Sequence, residues 1–272
     1  MTNTECHQYI TGINLDITAQ KSFSQELEHT VAERTIELEK MNKELQSFNY
    51  ISSHDLQEPL RKIQTFSTQL LEKEKQNLTQ SGKDKLDRMQ NAACRMQTLI
   101  NDLLAYSRTN VSDRKFENTD LNIILNEVKN DLEDELRLKN ATIEVTELGK
   151  ADIIPFQFRQ MLHNLISNAL KFSTPEKPPH IKIKSKIISA YHPLGGQKVC
   201  HISISDNGIG FEQHYSDKIF EVFQRLHGKE QYNGTGIGLA IVKKIVENHH
   251  GIITANGELN KGANFDIYIP TT

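Results

Sequence analysis

One helical periodicity runs from Lys21 to about Lys75 and a second ends near Arg108, and nothing else in the sequence constrains the fold as tightly. In the first stretch Leu27, Val31, Leu38, Met41, Leu45 and Phe48 take the a and d positions of one heptad frame, with Ser24 and Arg34 as its polar members. About three heptads are visible, which predicts a coiled coil; an amphipathic helix lying on its own domain would carry a similar stripe. Leu56, Leu60, Ile63, Phe66 and Leu70 keep the spacing, with Pro59 among them as an expected kink. Residues 76–82 interrupt the pattern, and Leu86, Met89, Ala93, Met96, Ile100 and Leu103 then share one stripe. Two antiparallel helices bury little by themselves. A second copy completing a four-helix bundle is the expected solution.

After Thr109 the texture changes. Asp120 can cap a helix reaching Lys139, and a strand is expected at 141–146, another near Ile153 and a helix over 156–172. Strands at 180–190 and 197–205, a helix from Gly238 to His250 and closing strands at 252–257 and 263–269 complete the pattern. Strands beside a few helices predict a two-layer α/β sandwich, so the fold class is α plus α+β. At the other end, residues 7–16 alternate enough for a short strand.

With 272 residues there is room for two domains, or one with a long helical extension. The net charge of -3 offers no argument for nucleic acid or an anionic membrane surface. No run reaches the roughly 20 apolar residues of a spanning helix, and no signal peptide is evident. Cys6, Cys94 and Cys200 are far apart and lack a CxxC spacing. They read as reduced thiols in a cytoplasmic protein.

Four segments carry chemistry. In Ser-Ser-His-Asp-Leu-Gln-Glu-Pro-Leu, residues 52–60, His54 falls about 200° around the helix from Leu56, opposite the apolar stripe. Asp55 can accept the Nδ1 proton and leave Nε2 as the nucleophile. A lone His-Asp pair is equally at home as a solvated surface pair. On residues 160–173, Gln160, Asn164, Asn168 and Lys171 make one polar line on an otherwise apolar helix. Amide oxygens suit Mg²⁺ and the lysine suits its phosphates, although a solvent-facing stripe would look alike. His163, off this line, reads as ordinary packing. Asp206 ends a strand and enters a turn with Gly208 and Gly210; its carboxylate can take a hydrogen bond from an exocyclic amine such as that of adenine. Finally, Asn-Gly-Thr-Gly-Ile-Gly-Leu, residues 233–239, opens a helix and can cradle an anion. Leu239 stands where a dinucleotide fingerprint needs its third glycine, and no Walker lysine is present. Between the last two segments, Phe220 and Phe223 can anchor a lid and Arg225 can reach phosphate.

In this order and spacing, the segments resemble the sensor histidine kinase family over roughly residues 40–270. His54 lies in what looks like the H-box, residues 160–173 in the N-box, 206–210 and 234–238 in the two glycine boxes, and 219–223 in the F-box. The resemblance implies a dimerising helical hairpin over 49–112 and a Bergerat-type ATP-binding domain over 113–272. Ahead of them would stand a coiled-coil signalling helix over 22–48 and, over 1–21, the tail of a PAS sensor domain. By the same resemblance His54 is the phosphoacceptor and Asp55 its general base, while Asn164 and Asn168 hold Mg²⁺. Lys171 touches phosphate, Asp206 recognises adenine, and Gly208, Gly210, Gly234, Thr235, Gly236 and Gly238 shape the ATP pocket and lid. Arg225 steadies the transferred phosphoryl. The implied partners are a second copy, a separate response-regulator receiver and an upstream sensor. ATPase relatives of this fold carry a glutamate four residues before the Mg²⁺ asparagine; here that residue is Asn164, so no base is poised for water. Glu58, four residues after His54, stands where strong phosphatases of the family often have Thr or Asn, which argues against phosphatase activity. Two other classes compete with this reading: a nucleotide-binding scaffold without catalysis, and an NAD-dependent oxidoreductase.

Overall fold

In the computed structural model, residues 18–109, 115–146, 148–189, 198–226 and 234–271 are described. The expected strand at 7–16 and the PAS-like tail lie outside them, apart from the helix start. The chain divides into two compact units, Met1–Phe48 and Asn49–Thr272. In the first unit the chain is helical from Thr18, and every described side chain on it is exposed, Leu27, Val31, Leu38 and Met41 of the heptad frame included. Arg34–Glu37 and Lys40–Glu44 ion pairs decorate the helix, and such solvated pairs stabilise it only slightly.

Helix α1 (Thr18–Lys73) continues unbroken through Pro59. Helix α2 (Gln80–Arg108) begins at Thr79, whose hydroxyl accepts from the Gly82 N–H at 3.1 Å. In the second unit the two helices run antiparallel: Gln57 donates to Asn101, Gln64 to Cys94 Sγ, and Gln90 to Thr68. The core between them is small, namely Leu60, Ala93 and Ile100 with Leu104 against them. Leu56, Ile63, Phe66, Leu70, Met89 and Met96 stay exposed.

The α/β part has a five-stranded sheet in the order β2-β4-β5-β7-β6. Its strands are β2 (Thr142–Val145), β4 (His180–Ser189), β5 (Lys198–Ser205), β6 (Ile252–Glu258) and β7 (Gly262–Pro270). The β2–β4 pair is parallel and the other pairs are antiparallel. That is no doubly wound parallel sheet, and it removes the structural ground for the oxidoreductase alternative. Helices α3 (Leu121–Asp131), α5 (Pro155–Lys171) and α6 (Gly238–Asn248) form the second layer. Phe158, Leu162, Leu165 and Ile166 of α5 and Ile241 and Ile245 of α6 are buried against alternate residues of the strands, Ile181 and Ile183, Ile202 and Ile204, Ile267 and Ile269.

One expectation needs correction. The helix predicted from Asp120 to Lys139 is divided: Leu132, buried with φ −101° and ψ 11°, separates α3 from α4 (Glu133–Leu138). Leu132 completes the buried stripe of α3, and the break lets α4 start afresh with Glu133, Asp134 and Glu135 in its first turn, where acids favour a helix start. The polar strand β1 (Glu117–Asp120) was not expected; it is held by antiparallel pairing to β3 (Lys150–Ile153) rather than by its own propensity.

Candidate active site

Helix α5 buries one side and turns the other to a cavity of about 410 Å³. His163, Asn164, Ser167, Asn168 and Lys171 line it; Gln160, the first member of the predicted line, does not. His163, off the predicted polar line, is half-buried and stands at the cavity wall. The i, i+4, i+8 relation of His163, Ser167 and Lys171, parallel to that of Asn164 and Asn168, was the signal available. Asn164 Nδ2 is buried without a hydrogen-bond partner. Because an amide's two ends are interchanged by a half-turn, the orphaned position can equally present the oxygen.

Opposite α5, Asp206 closes β5. Its Oδ1 accepts from the Gly208 N–H at 2.8 Å and the Ala263 N–H at 3.3 Å. Burial pushes this carboxyl above the usual range, and the two backbone bonds offset part of the rise. The turn after it is fixed to the end of α5, where Ile209 N–H donates to Phe172 O at 2.9 Å. Gly210 has φ +62°, and a Cβ there would collide with the Glu258 carbonyl. Protein backbone, rather than close approach of a ligand, accounts for this glycine.

The third wall precedes α6. Gly236 (φ +76°) and Phe223 (φ +66°) are both left-handed, and Phe223 N–H donates to Gly236 O at 3.0 Å. A Cβ on Gly236 would lie 2.8 Å from Gln224 O. Phe220 is buried and anchors this segment as expected, but Phe223 is 61% exposed and does not. Holding the bond to Gly236 costs Phe223 an uncommon backbone conformation and turns its ring outward. Residues 227–233 lie outside the described ones. Helix α6 starts at Gly238 without a side-chain cap, so its first N–H groups suit an anion.

Charge converges where Lys171 and Arg225 meet at the cavity. Lys171 and Arg225 line the cavity together, and burial first, then the Arg225 charge, lower the lysine's pKa, with Asp102 opposing. Lys171 Nζ also lies 4.6 Å over the Phe172 ring. Asp102 and Thr98 come from α2, and no motif pointed to either. Thr235 Oγ1 donates to Asp102 Oδ2 at 2.5 Å, and Thr235 in turn accepts from the Ile237 N–H. Burial raises the Asp102 pKa, with Thr235 and Lys171 opposing.

His54 lies on α1, but its side chain is outside the described residues. Asp55 is exposed, and Glu58 pairs with Lys62 at 2.7 Å, both well solvated. Among the described residues no cluster of His, Cys, Asp and Glu is set up to hold a metal ion. No described helix is long and apolar enough to cross a membrane.

Residues 44–110 match the His Kinase A (phospho-acceptor) domain, and residues 154–272 match the histidine kinase-, DNA gyrase B- and HSP90-like ATPases. Cyanobacterial phytochrome A of Nostoc sp. is 36% identical over 241 residues, covering 88% of this chain and 30% of that protein. Sensor protein kinase WalK of Staphylococcus epidermidis is 33% identical over 242 residues, covering 86% of this chain and 38% of its own length. Among solved structures, full-length ShkA in complex with AMPPNP shares the fold with a TM-score of 0.61 and 23% identity, over 82% of this chain and 45% of that one. Histidine kinase ThkA in complex with response regulator protein TrrA gives a TM-score of 0.56 and 22% identity, over 88% of this chain and 66% of that one.

Proposed function

Because the chain belongs to the sensor histidine kinase family, we propose that it moves the γ-phosphoryl of ATP onto His54 and from there onto an aspartate of a separate receiver protein. One observation carries this: α5 amides, Lys171, Asp206 and the uncapped start of α6 converge on one cavity that α2 of the phosphoacceptor hairpin also lines. Asp206 takes both backbone bonds on Oδ1, which leaves Oδ2 for the amine of adenine. The glycine-rich segment at 234–238 and the start of α6 receive phosphate oxygens, with Lys171 and Arg225 as countercharges. The orphaned amide of Asn164 supports a Mg²⁺ site there with Asn168. Mg²⁺, when bound, neutralises charge on the phosphates.

The chain's own residues then do little bond chemistry and much positioning. Asp55 holds the proton on Nδ1 of His54, and Nε2 attacks in line. The N–P bond forms as the bond to the β-phosphate oxygen breaks, and Arg225 steadies the charge in between. Asn164 stands where related ATPases have glutamate, so the carboxylate they use to activate water is replaced by an amide at that position. Residues 22–48 act as a coiled-coil signalling helix driven by an upstream sensor domain. The exposed apolar face of the hairpin supports a homodimer, and the setting proposed is cytoplasmic.

Labelled ATP tests the reading. The chain should acquire an acid-labile, base-stable label that is lost in His54→Gln and in Asp206→Asn. ATP binding without any label on the unmodified chain would instead identify a non-catalytic nucleotide-binding scaffold. Mixed dimers of the two variants report whether transfer runs within or between subunits.

A further inference from the structure

Two of the groups assigned to phosphate already answer to an anion that the reaction does not use. Asp102 of α2 accepts the Thr235 hydroxyl at 2.5 Å, and its charge opposes the depression of the Lys171 pKa. With Thr98, one turn before it, Asp102 lines the same cavity as Asn164 and Asp206.

We propose that Asp102 is a built-in competitor of the nucleotide's polyphosphate: its carboxylate occupies donors that phosphate would take and latches the cavity to the hairpin until nucleotide displaces it. The proposal rests on the nucleotide reading above. Carboxylate and phosphate oxygens are both anionic acceptors, and Thr235 and Lys171 can serve either. They cannot serve both, because Asp102 is half-buried and would face the incoming phosphates with little solvent to screen the repulsion. Position adds a consequence. Gln57 pairs with Asn101, so Asp102 stands about level with Leu56, within a helical turn of His54 along the hairpin. Nucleotide binding thereby releases the cavity from the helix pair beside the phosphoacceptor, and an empty site holds on to it.

Calorimetric titration of the full chain with ATP in magnesium, and in parallel with adenosine, tests this. Asp102→Asn should bind ATP about tenfold more tightly than the unmodified chain, the scale of one charge-assisted hydrogen bond no longer broken. Adenosine, which has no phosphate, should bind both chains equally. Asp102→Glu keeps the charge and should bind ATP no more tightly than the unmodified chain. Equal or weaker ATP binding by Asp102→Asn overturns the latch and leaves the nucleotide site standing. A changed adenosine affinity, or a Glu variant that tightens like the Asn variant, assigns the effect to repacking and also overturns it. Failure of the unmodified chain to bind ATP removes the nucleotide reading and the latch with it.

Discussion

Asn164 sets stability against use. Its amide is buried with one end unpartnered, a defect that costs about 1–3 kcal/mol in a protein interior. Asn164→Leu should therefore raise the unfolding midpoint while abolishing Mg-dependent ATP binding; melting followed by circular dichroism, with calorimetry on the same samples, reads both. Asp206 carries a related tension. Burial raises its carboxyl pKa, so its contribution to folding is full below the ordinary carboxylate range and is lost as pH rises through the raised value. The proposed recognition of adenine runs the other way, since it needs the ionised form. Adenosine affinity should fall on acidification at a pH above that at which an ordinary aspartate protonates, and Asp206→Asn should bind weakly with no such dependence. That Asn168, Lys171 and Asp206 face one cavity was legible because helical spacing and a strand-to-turn transition both leave a mark in one dimension. Asp102 left none, since its meeting with Thr235 joins residues on separate elements, and the outward turn of Phe223 follows from a bond to Gly236 that no spacing announces.

Among the elements, the long helices and the α5 and α6 amphipaths could be read within a few residues, because each buries a stripe of period 3.6. The break at Leu132 could not, since Leu132 and Leu136 continue the apolar spacing of α3 across it; neither could β1, whose four polar residues depend on a partner strand. The proposed signalling helix leaves its described heptad positions between Thr18 and Phe48 exposed. A single residue inserted within 36–40 turns everything downstream by about 100° relative to the seam. It should change labelling of His54 while leaving helix content by circular dichroism unaltered; unchanged kinase activity would argue against a helix that transmits rotation. Glu58 gives a second prediction at this scale. With its charge removed, Glu58→Asn should release phosphate from a phosphorylated receiver faster than the unmodified chain does, measured on the purified receiver alone.

For the molecule as a whole, the apolar surface left on the hairpin asks for a partner. Leu56, Ile63, Phe66, Leu70, Met89 and Met96 are exposed around a core that, among the described residues, has three buried side chains, and a second hairpin would cover them. Phe66→Asp should shift the chain from dimer to monomer in analytical ultracentrifugation. The end of α2 is fixed differently. Asn248 Nδ2 donates to the Thr109 carbonyl at 2.6 Å and contacts Gln157 Oε1, all in the interior, so the hairpin ends on a buried rivet to the α/β layer. From there to β1 the chain spans only residues 110–116, which stretched to the full reach at most about 25 Å. In the proposed transfer, so short a leash fixes the dose of nucleotide that the histidine experiences. The encounter is internal to each assembly, at an effective concentration on the order of millimolar, and the half-time of His54 labelling should not lengthen on dilution until the assembly itself comes apart.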